Sequence, residues 1–282
     1  MSGRWASPGG RNRMAQDIRA GFIGCGNMGG VLAGVAAKAL GGDNVFVFDK
    51  HPEKTGKLSL NYGCKIVELP EILEKCGSIV LGVKPQVLPA LLQAIKEPLS
   101  KRTDRFTIVS MAAGIKASAI ESVLGEVPVV RIMPNTPCAS GEGVILCSAG
   151  AYAGNEDMDA VLKMFDPAGK LLTVSEGKID AGSAVSGCGP AFVYMFIDAM
   201  IDGGVRAGLT RAEAKLLAEQ TVLGSAKYAL ESGEEPAKLK ADVCSPKGST
   251  IEGVAVLEEY SLRSAVMEAV KAAYVRTLEL GK

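Results

Sequence analysis

Apolar residues gather into short β-like runs through the first half of the chain: Ile18–Ile23, Asn44–Phe48, Ser78–Val83, Phe106–Ser110, Val127–Met133 and Gly143–Cys147. Between them apolar positions recur at helical spacing, as in Met28–Leu40, Pro52–Asn61 and Gln86–Ile95. Loops opening with Gly, Pro or Asn lead into these helices. The alternation from Ile18 to Val174 predicts an open parallel sheet with crossover helices, since parallel neighbours need such connections and their strands are covered on both faces.

After about Glu176 the strand pattern stops and helix-forming composition takes over in Gly189–Gly204, Thr210–Ser232, Thr250–Tyr260 and Arg263–Leu280. Thr210-x-x-Glu213 and Ser249-x-x-Glu252 both have the spacing of a capping box, which places two helix starts. Apolar residues spread around several faces of this half, with Val222, Leu223, Ala226 and Ala229 beside Leu216 and Leu217. One layer of such helices leaves apolar surface uncovered, so the pattern predicts a homodimer or larger oligomer through residues 180–282, without fixing its number; a decamer is one such assembly. The division expected is residues 1–16 as a disordered leader, 17–176 as a dinucleotide-binding domain and 177–282 as a helical substrate-binding and dimerisation domain.

Composition narrows the function. The 282 residues carry 31 Lys+Arg against 31 Asp+Glu, so no overall field draws nucleic acid or an anionic membrane. No stretch reaches the ~18 uninterrupted apolar residues of a membrane helix; Phe192–Met200 is cut by Asp198. Seven cysteines without CxxC spacing suggest neither a disulfide framework nor a zinc site, and fit a reducing, cytoplasmic compartment. The only histidine is His51, which removes His-dependent hydrolytic chemistry. Arg4, Arg11 and Arg13 precede the first acid, Asp17, so the N-terminus reads as a short mitochondrial transit segment or as a leader ending at Met14.

Gly24-Cys25-Gly26-Asn27-Met28-Gly29 follows the strand that ends at Ile23 and enters a helix, the context of a dinucleotide-binding loop in a Rossmann-type doubly wound sheet. Gly24 suits a tight turn, Gly26 lets backbone N–H groups approach a pyrophosphate, and Gly29 permits close helix–strand packing. Asp49 ends the next strand, where a carboxylate accepting from a ribose 2′-hydroxyl favours NADH. Lys50 and His51 follow it, where cations facing a 2′-phosphate favour NADPH. Both cofactors stay open. Gly82-Val83-Lys84-Pro85 and Met111-Ala112-Ala113 close later strands and line the same crevice, with Ala112 and Ala113 small enough for a flat ring to approach. In Cys244-Ser245-Pro246-Lys247-Gly248-Ser249-Thr250, the Ser249 cap leaves the N–H groups of Thr250 and Ile251 to a small anion such as a carboxylate. Structural caps explain this loop equally well.

Together, Gly24–Gly29, Val83–Gln86, Arg131-Ile132-Met133-Pro134-Asn135-Thr136-Pro137, Ala184–Ala191 and Ser245–Thr250 occur in the order and spacing of pyrroline-5-carboxylate reductase, which the chain resembles from about Arg19 to Leu280. The resemblance implies NAD(P)H-dependent reduction of 1-pyrroline-5-carboxylate to L-proline, the last step of proline biosynthesis, with substrate between the two domains. It implies that Thr250 is the hydrogen-bond partner of the ring nitrogen and that the backbone at Ser249–Thr250 holds the carboxylate. It also implies that Ala112 and Ala113 border the nicotinamide, that Lys84 and Pro85 border the cofactor, that Glu176 faces the ring nitrogen, and that Asp242 lies near the carboxamide. A protonated cyclic imine is already electrophilic, so the near absence of histidine agrees with this chemistry.

Arg131 and Asn135 read as structural, and Pro134 or Pro137 as candidates for a cis bond. The chain departs from the family at Lys247, usually Gly, where a position needing φ > 0 forces the loop to change shape, and at Cys188, usually Ser. Two rival readings remain. A β-hydroxyacid dehydrogenase usually has a catalytic Lys shortly after the domain junction, and there is none between Gly187 and Gly204. A nucleotide sensor binds NAD(P)H without turnover.

Overall fold

The structure is a computed structural model that describes residues 19–280; the leader expected at 1–16 lies outside the described residues. In chain order the elements are β1 (Ala20–Ile23), α1 (Asn27–Leu40), β2 (Val45–Phe48), α2 (Pro52–Tyr62), β3 (Lys65–Ile66), α3 (Leu69–Lys75), β4 (Ser78–Leu81), α4 (Leu88–Ser100), β5 (Thr107–Ser110) and α5 (Ala117–Leu124). Then follow β6 (Val129–Met133), β7 (Gly143–Ala149), α6 (Asn155–Phe165), β8 (Gly169–Thr173), α7 (Glu176–Ser186), α8 (Gly189–Arg206), α9 (Arg211–Ser232), α10 (Pro236–Asp242), α11 (Ser249–Glu259) and α12 (Leu262–Leu280).

The strands form one sheet in the order β3-β2-β1-β4-β5-β6-β7-β8. Alternation along each strand sends side chains to opposite faces. Ala20, Phe22, Val45, Val47, Val80, Val109, Val130 and Ile132 share a core with α1 and α6, where Phe22 meets Phe165 edge-on at 6.4 Å. Ile23, Phe46, Ile79, Leu81, Ile108 and Val129 pack on α3, α4 and α5 across the sheet. The expected all-parallel sheet needs one correction: β6 and β7 pair antiparallel, because residues 134–142 are too few for a helical crossover. All other pairs are parallel. No cis peptide bond occurs among the described residues, so Pro134 and Pro137 are both trans.

The chain divides into two compact units, residues 19–188 with 273–280 and residues 189–272. The division at Cys188 differs from the expected Glu176 by α7, which packs on β7 with the Met133–Leu146–Ile179 cluster. Gly182 makes this approach close, since a Cβ there would lie 2.4 Å from a Leu146 methyl. In the second unit α8 and α9 form a hairpin around Ile201, Ala214 and Ala218, with Arg211 bridging Asp198 and Asp202 at 3.2 and 2.9 Å. Thr210 and Glu213 form the expected capping box at the start of α9. Little else is buried: Tyr194, Met195, Leu216, Leu217, Leu223, Tyr228 and Leu230 are all exposed. By length and composition alone, Glu176–Arg206 is apolar enough to cross a membrane, which the uninterrupted-run criterion did not register.

Candidate functional site

At the carboxyl end of β1 the backbone turns at Gly24 with φ 97°, and the Gly24 N–H donates to the Phe48 carbonyl at 2.8 Å. Gly24, Gly29 and Gly82 interlock: a Cβ on Gly29 or Gly82 would lie 2.2 or 2.3 Å from the Gly24 oxygen. This contact fixes β1, α1 and β4 at the point where strand order reverses. Gly26 differs, because a Cβ there would meet nothing within 4 Å. It is the N-cap of α1 without any side-chain cap, and among the described residues the N–H groups of Asn27, Met28 and Gly29 have no acceptor. Open space over an uncapped, electropositive helix end suits a pyrophosphate. A dinucleotide therefore fits the residues present.

Asp49 lies beside this loop with its carboxylate turned inward. It accepts from Cys25 N–H at 2.7 Å and His51 N–H at 2.9 Å, with Lys54 Nζ 3.4 Å away. Burial pushes its carboxyl up, but these donors outweigh burial and hold it below the ordinary value of 3.8. Lys50 and His51 are exposed. Lys54, one turn into α2, was not legible as a site residue; its partner at Asp49 comes from the turn, not from sequence spacing. Burial pushes the Cys25 thiol up to about 12, with Asp49 adding to the effect, so the only reactive atom in the glycine loop is an inert thiol.

The neighbouring strand ends complete the edge. Gly82 N–H donates to the Ile23 carbonyl at 2.8 Å, bringing Ile23 and Gly82 together; Val83 packs into the core, Lys84 is exposed and Pro85 half-buried. After β5, Met111 and Ala113 are half-buried. The Ala112 side chain is buried in the core, and its N–H reaches Ser110 Oγ at 3.4 Å. Asp49, Gly24–Gly29, Gly82–Pro85 and Met111–Ala113 thus lie along the carboxyl ends of β2, β1, β4 and β5 in that order.

Arg131 and Asn135, read as structural, are both bonded within the fold. Asn135 donates to the Ser186 carbonyl at 3.0 Å and accepts from Val144 N–H at 2.8 Å, tying α7 to β7, and its Oδ1 also accepts from Cys138 Sγ within its own turn at 3.7 Å. Arg131 is buried on β6 and bonds Asp180 at 2.7 Å. Glu176, expected to face a substrate nitrogen, accepts from the Ala117 N–H at 2.7 Å and stands 3.7 Å from Arg131, with its side chain part-exposed. Asp180 and Ser110 were missed by sequence reasoning, and their only signal is a polar residue in an apolar setting.

In the second unit Ser249 and Thr250 are exposed at the first two positions of α11. The expected Ser249 capping box does not form. The N-cap is Gly248, so Ser249 sits one position too late and Glu252 falls beyond reach. The first N–H groups of α11 are left without a side-chain cap. Lys247 holds φ 60°, so a non-glycine residue takes the left-handed conformation at the position that departs from the family. Asp242 ends α10, exposed and 3.7 Å from Lys238. The Cys188 N–H donates to the Ser183 carbonyl at 3.0 Å, closing the end of α7.

Comparison with known proteins adds to this geometry. Residues 176–280 match the family described as pyrroline-5-carboxylate reductase dimerisation, and residues 19–114 match NADP oxidoreductase, coenzyme F420-dependent. The chain is 38% identical over 271 residues to a pyrroline-5-carboxylate reductase of Arabidopsis thaliana, covering 95% of this chain and 97% of that one. It is 37% identical over 266 residues to that of Escherichia coli, covering 93% and 98%. Among solved structures it is similar to a Plasmodium falciparum pyrroline carboxylate reductase with NADP bound, at TM-score 0.84 and 32% identity over 95% of this chain and 99% of that one. A pyrroline-5-carboxylate reductase of Coxiella burnetii gives TM-score 0.85 and 30% identity over 95% and 100%.

Proposed function

The chain belongs to the pyrroline-5-carboxylate reductase family, and from that premise we propose that it reduces the C=N bond of 1-pyrroline-5-carboxylate to give L-proline, using NADPH or NADH. The observation that carries this reading is the open, uncapped α1 N-terminus at Gly26, on a chain related to reductases over nearly its whole length. When bound, the dinucleotide supplies a hydride to the imine carbon.

The residues we assign to cofactor are Ile23–Gly29, Asp49, Lys50, Gly82–Pro85, Met111–Ala113 and Asp242. The early N–H groups of α11 at Ser249 and Thr250 hold the substrate carboxylate, as an uncapped helix end favours an anion. The Thr250 hydroxyl accepts a hydrogen bond from the protonated ring nitrogen, which keeps its proton as hydride reaches the neighbouring carbon. Ala113, half-buried, offers the apolar side of the ring a small contact. Glu176 acts on the substrate at one remove, through the loop that its carboxylate caps.

Residues 176–280 form the dimerisation region of this family, and we assign a homodimer to it, with a decamer as the higher assembly. The exposed apolar residues of α8 and α9 support a protein partner for this surface. The same partner accounts for the apolar length of Glu176–Arg206, in which Asp180, Asp198 and Asp202 are paired with arginines. Free, mostly buried thiols support a cytoplasmic location.

Oxidation of NADPH and of NADH by wild type and Thr250→Ala, with 1-pyrroline-5-carboxylate as acceptor, tests the reading. Wild type is expected to turn over, and the variant to lose roughly ten- to a thousandfold in kcat/KM, as one transition-state hydrogen bond allows. Cofactor binding without oxidation would make the protein a sensor.

A further inference from the structure

We propose that Arg131 is a positioning residue for the nicotinamide half of the cofactor site, acting through Glu176 on the loop that joins β5 to α5. The inference rests on the reductase reading and extends it to a residue that touches neither substrate nor cofactor.

The guanidinium is 1% exposed, yet only its bond to Asp180 is made; Nε and Nη1 have no hydrogen-bond partner. Buried donors left this way are costly, and an apolar side chain would fill a sheet face at lower cost. The charge therefore needs a use beyond packing. Its second carboxylate neighbour is Glu176, with Oε1 3.7 Å from Nη1. The same Oε1 accepts from the Ala117 N–H at 2.7 Å, at the first residue of α5, where a helix favours a carboxylate.

The β5–α5 loop is pinned at its other end as well, by Ser110 Oγ on the Ala112 N–H. Ser110 is the β5 residue in register with Arg131. The first pin is made at Ala112 itself, and Ala113 is the first residue between the two pins. Strand order puts this loop on the side of the α1 N-terminus opposite Asp49. A dinucleotide whose adenosine lies toward β2 then runs its nicotinamide over β4 and β5. Arg131 holds Glu176, Glu176 holds Ala117, and the loop under the ring stays in place.

The test uses the full chain and the variants Glu176→Ala, Glu176→Gln, Arg131→Met and Arg131→Lys, with two readouts. One is kcat with 1-pyrroline-5-carboxylate; the other is affinity for ADP-ribose, which occupies only the adenosine side. Glu176→Ala is expected to lower kcat roughly tenfold or more, since misplacement by about an ångström has that effect, with ADP-ribose affinity within about twofold of wild type. Glu176→Gln, which keeps an oxygen for Ala117, restores part of the loss. Arg131→Met lowers kcat similarly alone but adds little to Glu176→Ala, the non-additivity of residues acting in series; if it fails to fold, Arg131→Lys replaces it in the cycle. Unchanged kcat in Glu176→Ala, equal loss of kcat and ADP-ribose affinity, or additive effects would overturn the proposal. If wild type does not turn over, the reductase reading fails separately, and the ratio of NADH to ADP-ribose affinity then reports the loop: it falls in Glu176→Ala if the proposal holds and is unchanged if it does not.

Discussion

The backbone N–H of Cys25 donates to Oδ2 of Asp49 at 2.7 Å, so the acid at the end of β2, which we propose faces the adenosine side of the cofactor, also fastens the glycine loop. Its other oxygen is held by the His51 N–H, and Lys54 stands nearby. The charge remains where a 2′-phosphate would come, and it opposes a second anion even while Lys50 and His51 attract one.

Replacing Asp49 by Ser separates the two roles. The ratio of kcat/KM for NADPH to that for NADH is expected to rise about tenfold, the effect of roughly 1.4 kcal/mol from one removed charge. The melting temperature should fall at the same time, because the Cys25 and His51 N–H groups lose their acceptor. A ratio that stays put, measured by steady-state kinetics with both cofactors, would show that the carboxylate is spent on the loop alone.

Gly26 and Gly29 are three residues apart and should behave in opposite ways. A methyl at Gly29 would lie 2.2 Å from the Gly24 oxygen, so Gly29→Ala must move backbone and is expected to cost about 2 kcal/mol or more in urea unfolding. At Gly26 the methyl enters open space. Gly26→Ala should therefore fold with near wild-type stability while binding NADPH at least tenfold more weakly, as read by fluorescence titration.

These contrasts show how far the sequence carries. The strand–glycine–helix order around Gly24–Gly29 was legible because each apolar run is buried on both faces and each glycine serves a local need. β3 was not, being two exposed residues held by one edge ladder. α7 was missed because its contact with β7 is made by one large apolar residue, Ile179, beside the close approach at Gly182, which leaves weak apolar periodicity. The Ser249 cap was misplaced by one residue, since Gly248 and Ser249 are both good N-caps and only the Ser245–Gly248 turn decides between them. Arg131 was legible as structural, but its partners Asp180 and Glu176 come from α7, the element the pattern concealed.

Asp157 tests stability away from the cofactor edge. It is buried in the first turn of α6 and accepts from Thr107 Oγ1 and Arg105 Nη2, each at 2.5 Å, and from Gly154 N–H at 2.8 Å. Burial pushes its carboxyl up, but Thr107, Arg105 and Gly154 outweigh that and set it below 3.8. A carboxyl depressed on folding contributes its stability in full above the unfolded value and loses it as pH falls through the folded one. Asp157→Asn should thus cost about 2 kcal/mol at pH 7, the range for hydrogen bonds to a charged group. The gap from wild type should stay constant down to the ordinary value of 3.8 and close below it. Thr107 opens β5 at the amino edge of the sheet, so kcat at pH 7 should be unchanged in the folded variant. Urea unfolding at a series of pH values checks the claim: a gap that does not narrow at all as pH falls below 3.8, or that closes above it, would mean that the carboxylate is not what Thr107 and Arg105 hold.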